Sequence, residues 1–97
     1  MKPSTIRVIG KKFTVVFGDS PDRGSCEATK QKITILHDMP ADEERDTLLH
    51  EVLHAIEEAM GLDMPDRHIR LLATGLYAVF RDNPEFFRYI GERIGKP

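Results

Sequence analysis

An α+β fold is what this 97-residue sequence predicts: a small, mostly antiparallel sheet of three to four strands, then a helical half. Two observations carry it. Alternating and β-branched residues fill the stretch up to residue 36, and apolar residues at three- and four-residue spacing fill most of the chain after Pro40. Strands first and helices second means helices packed on one face of the sheet, not alternating strand–helix units.

Taken in order, Ile6-Arg7-Val8-Ile9 alternates and Gly10 turns the chain. Phe13-Thr14-Val15-Val16-Phe17 is β-branched and aromatic, the composition of a half-buried strand. Gly18 to Gly24 is a loop by its Gly, Asp, Ser and Pro content. Residues 25–29 suit a short strand and Lys32-Ile33-Thr34-Ile35-Leu36 a stronger one, with Thr29-Lys30-Gln31 as a hairpin turn between them. The first helix is expected over 41–60. Asp42, Glu43 and Glu44 sit in its first turn, where the helix dipole favours carboxylates, and Gly61 stops it. Leu49, Val52, Leu53, Ile56 and Met60 form its apolar face. Asp63-Met64-Pro65 restarts a helix over 65–82, with Asp63 as cap and Ile69, Leu72, Ala73, Leu76 and Phe80 as its stripe. Asn83-Pro84 breaks it, and a short last helix over 84–94 carries Phe86, Phe87 and Ile90.

Composition narrows the function. One domain spans 1–97, since a second core needs more chain. A net charge of −2 is spread evenly, with eight basic and eight acidic residues before His50, so no basic stripe exists for nucleic acid. No apolar run approaches the roughly 20 residues of a membrane span, and no secretory signal follows Met1. The lone Cys26 has no disulfide partner in the chain, which points to a reducing, cytoplasmic setting; as a single strand cysteine it reads as packed. Arg67 and Arg70 read as a solvated helix face, and Phe86-Phe87 as core or as a docking patch.

The chemistry lies in His50-Glu51-Val52-Leu53-His54. On a helix, residues four apart stack about 6 Å apart along the axis, so two imidazoles can share one Zn²⁺ at about 2.0–2.1 Å each. Glu51 projects about 100° from His50, off the metal but beside it, where it can take a proton from water. For a chain with this many His and Glu, the pattern arises by chance about once in a hundred. Here it falls inside an expected helix, as the mechanism requires. A third ligand must come from another element, because Glu58 lies about 12 Å along the axis from His50. His68, early in the next helix, is the first choice. Asp66 and Asp63 come next, and His37 after them.

Thr47-Leu48-Leu49-His50-Glu51-Val52-Leu53-His54-Ala55-Ile56, preceded by Lys32-Ile33-Thr34-Ile35, resembles small zincin-type metallopeptidases, nearest to compact phage-encoded and bacterial proteins related to the ImmA/IrrE and SprT-like groups. The resemblance runs from about Thr5 to Pro84. It implies an antiparallel sheet ahead of the metal helix, whose edge within 25–36 holds an extended peptide by strand addition. Glu57 and Met60 stand where metzincins have glycine and a third histidine, and no glutamate lies between Glu58 and Glu85 for the gluzincin role. A SprT-like third histidine matches His68 by distance.

The expected function is that of a zinc-dependent peptidase acting on a peptide or protein. His50, His54 and His68 hold Zn²⁺, Glu51 is general base, and Tyr77 or Tyr89 is a candidate oxyanion donor, each also readable as packed. Two alternatives stand beside it. One is a non-catalytic peptide- or protein-binding module with structural zinc on a zincin scaffold; the other is a metal-free interaction domain, either one suited to a mobile element.

Overall fold

A computed structural model gives the structure of the protein, described over residues 1–92. It is α+β, with strands β1 (Thr5–Val8), β2 (Lys11–Gly18), β3 (Gly24–Glu27) and β4 (Lys32–Leu36), then helices α1 (Ala41–Met60), α2 (Asp66–Asp82) and α3 (Pro84–Gly91). The last helix was expected to reach 94, and residues 93 and 94 lie outside the described residues.

The sheet order is β1-β2-β4-β3. β1 pairs β2 and β3 pairs β4 antiparallel, but the central β2–β4 pair is parallel, with Val15 opposite Ile33 and Phe17 opposite Ile35. The chain therefore leaves β2, crosses to the far edge, returns as β3, and inserts β4 between them. The crossing is tied down where the Leu36 N–H donates to the Arg23 carbonyl at 2.7 Å and the His37 N–H to the Gly18 carbonyl at 3.0 Å. The β3–β4 connection is a 3-10 turn over Ala28–Lys30 that ends at Gln31 with φ 49°. It takes the place of the simple turn at residues 29–31.

Alternation puts Val8, Phe13, Val15, Ile33 and Ile35 on one face, all buried, and leaves Lys12, Thr14 and Val16 on the solvated one. α1 covers the apolar face, with Ala55 buried against the core and Leu48, Val52 and Ile56 partly buried. At 20 residues it is about 30 Å long and overhangs strands of four to eight residues. Met60, expected on the buried face, lies in that overhang and is 60% exposed. α2 packs on α1 through Ile69 and Ala73, which are 1% and 0% exposed, whereas Leu72, expected in the same stripe, is 47% exposed on the outer side. Among the described residues no helix is long and apolar enough to cross a membrane.

Candidate functional site

α1 carries His50, Glu51 and His54 within about one turn, and the rotation of the helix decides what each meets. The buried side of α1 is Thr47, Glu51 and Ala55, so the histidines project from the flank, facing the start of α2. His50 Nε2 and His54 Nε2 stand 3.1 Å apart with their rings edge to face. Asp66 Oδ1, at the first position of α2, lies 3.7 Å from His50 Nε2 and 3.5 Å from His54 Nε2. A tetrahedral ion with bonds of about 2.0–2.1 Å holds neighbouring ligand atoms about 3.3 Å apart. The three atoms fit that spacing, and they form a group able to hold a metal ion.

The chain fixes this group from three sides. Gly61, at φ 70°, closes α1: its N–H donates to the Glu58 carbonyl, and the Leu62 N–H donates to the Glu57 carbonyl at 2.9 Å. The Glu57 side chain then spans the connection. Its Oε2 accepts the Met64 N–H at 2.6 Å, and its Oε1 lies 3.2 Å from His54 Nδ1. The Met64 amide, above all, holds the Glu57 carboxyl below its ordinary pKa, so it is an acceptor. A His54 that donates Nδ1–H to it turns its Nε2 lone pair toward His50 and Asp66, the orientation a metal ligand needs. On the other side, Arg70 Nη1 lies 3.3 Å from Asp66 Oδ2, leaving Oδ1 toward the imidazoles. Burial, reinforced by His54, lowers the pKa of His50 and favours its neutral, ligating form.

Glu51 is 6% exposed. Its desolvation outweighs the pull of His54 and pushes its pKa up to about 6. The strand above it is β3, where Gly24 and Cys26 pair with the buried Ile35 and Ile33 and so face α1. A Cβ on Gly24 would stand 2.8 Å from Thr47 Cγ2 and 3.1 Å from Glu51 Oε2, so only glycine lets the strand lie this close to the acid. Two open lobes meet at the motif. One, of about 710 Å³, runs past Cys26, Thr29, Glu58 and Asp63. The other, of about 610 Å³, runs past Asp22, Asp46, Arg70 and Thr74.

Other candidates fall elsewhere. His68 is not beside the imidazoles. It is two residues, about 200°, around α2 from Asp66, and it lines the outer groove with Leu71, Leu72 and Val79. The third residue of the group beside the imidazoles is Asp66. Asp63 lines a lobe without capping α2, whose N-terminal flank is Pro65. His37 sits at the end of β4, between Asp19 at 2.8 Å and Asp38 at 2.6 Å, and the Asp19 bond chiefly raises its pKa. Tyr77 donates to Asp42 in the first turn of α1, Tyr89 is 72% exposed on α3, and neither lines the two lobes at the motif. Cys26 is a packed thiol, its pKa pushed up to about 11 by burial and then by Glu51. Sequence alone gave Glu57 and Arg70 no role at the site. Their signal was spacing, three residues after His54 and four after Asp66, where helical neighbours meet. Comparison with protein-family models, curated proteins and solved structures returns no match.

Proposed function

We propose that the protein is a zinc-dependent peptide hydrolase of zincin type, with His50, His54 and Asp66 as ligands and Glu51 as general base. The observation that carries the reading is the convergence of three ligand atoms at tetrahedral spacing beside a buried acid with a raised pKa. Bound zinc would supply a Lewis acid for the scissile carbonyl and lower the pKa of a water toward about 7. Glu51, with a pKa of about 6, suits both halves of the proton transfer: it accepts the proton of the attacking water and passes it to the leaving amine. β3 is the sheet edge next to it, and its outer backbone groups suit an extended peptide running through both lobes. Glu57 and Arg70 keep His54 and Asp66 in place while substrate binds.

One observation favours a second reading, a peptide-binding module with structural zinc: Glu51 is 6% exposed and lies under β3. Zinc stoichiometry by native mass spectrometry, combined with hydrolysis of a peptide library, separates the two. The hydrolase binds one equivalent of zinc, Asp66→Asn loses it, His68→Ala keeps it, and Glu51→Gln keeps zinc while cleavage falls by about 10²-fold or more. Zinc without cleavage selects the binding module. Protein that takes up no zinc, or a Glu51→Gln that cleaves like wild type, overturns the hydrolase.

A further inference from the structure

The outer side of α2 is an apolar strip turned away from α1. His68, Leu71, Leu72, Gly75, Val79 and Asp82 all lie on it and are all exposed, with Leu71 at 54%, Leu72 at 47% and Val79 at 44%. A groove of about 570 Å³ follows it, lined almost entirely by apolar atoms. The groove exists because Gly75 stands at the middle of the helix, where a Cβ would meet nothing within 4 Å among the described residues. A mid-helix glycine weakens its own helix, and nothing within this fold requires one there.

Two pairs of exposed strip residues flank that glycine evenly: His68 and Asp82 lie seven residues on either side of it, and Leu71 and Val79 four. Seven residues are nearly two turns, which keeps His68, Gly75 and Asp82 on one line down the helix. Two such helices laid antiparallel about Gly75 set Gly75 on Gly75, Leu71 on Val79, and the His68 imidazole beside the Asp82 carboxylate at each end. Asp82 shares Oδ1 with Arg81 at 3.1 Å and stays exposed. α3 is docked on α2 by the stacked Phe80 and Phe87 rings and leaves Phe86, Tyr89 and Ile90 exposed.

We infer that α2 is the protein's self-association surface, two copies packing antiparallel across a two-fold axis at Gly75. The contact is isologous, so it closes at two copies. It lies on the opposite side of α2 from Asp66, so it stands or falls independently of the metal site.

Sedimentation equilibrium on the full chain tests this. Wild type forms a dimer as concentration rises through the micromolar range. Gly75→Gln fills the open space at the crossing with a better helix former. It melts no lower than wild type as a monomer, yet its dimer dissociation constant rises at least about tenfold. Asp82→His alone weakens the dimer, and adding His68→Asp restores it, because only the antiparallel register sets these two positions opposite each other. A wild type that stays monomeric at every concentration overturns the proposal and leaves the strip to an unlike protein. A dimer indifferent to Gly75→Gln, or a double exchange no tighter than the single one, overturns it too.

Discussion

Glu51 ionises in a place that resists its charge. With a folded pKa of about 6 against an ordinary 4.5, the native metal-free protein holds a proton that the unfolded chain has already released between those values. Stability conferred by this site is therefore present at low pH and falls as pH rises from about 4.5 to 6. Glu51→Gln carries no charge to desolvate. It should stabilise the metal-free protein by about 1–2 kcal/mol at neutral pH, and the gain should vanish below pH 4.5. Urea melts of both proteins at several pH values check this. Glu57 acts through its neighbours. Glu57→Gln keeps the size of the side chain but weakens the acceptor that orients His54, and should loosen zinc about 10–100-fold in a competition titration. The two histidines and their acid were legible residue by residue, because helical spacing alone places them. The third member of the group was not. Asp66 and His68 differ by 200° around α2, and the sequence allowed the stripe to be drawn through Leu72, which turns His68 inward. Packing chose Ile69 and Ala73, and that rotation brings Asp66 to the imidazoles.

Among the elements, helix boundaries followed the sequence closely because Gly61, Pro65 and Pro84 act locally on the backbone. β4 kept its expected Lys32–Leu36, while the ends of the other three strands moved by one or two residues, as the hydrogen bonds that define them belong to partners far along the chain. The β1–β2 hairpin shows a conflict the sequence does not resolve. Its two-residue loop, Ile9-Gly10, has φ 47° and 83°. Glycine suits that conformation, but a β-branched isoleucine, 57% exposed here, is strained in it. Ile9→Asn should raise stability by about 1 kcal/mol, read as a higher denaturation midpoint at unchanged slope.

For the whole molecule, fold class was legible but topology was not. Ile33 and Ile35 mark a buried strand, yet nothing local tells β4 to lie between β2 and β3, since that pairing is settled by which faces can be covered together. The proposed zinc would also act at this scale, adding a bridge between two helices that already meet through Ile69, Ala73 and the Thr74–Asp46 bond. At a hundredfold excess over its dissociation constant, zinc should add about 2.7 kcal/mol. In a domain this small that is roughly 10 °C or more in melting temperature. Thermal melts with zinc and with chelator check it, and His50→Ala should erase the difference.

All three atoms of the candidate metal group come from a stretch of seventeen residues, His50 through Asp66, folded as one helical hairpin. The acid's surroundings come from a strand some twenty-five residues upstream, where Gly24 presses against it. Assembling the candidate metal group and readying the acid are thus separate achievements of the chain. An incompletely folded molecule with its hairpin intact would still bring the proposed ligands together, while its glutamate behaved as any solvated carboxylate does.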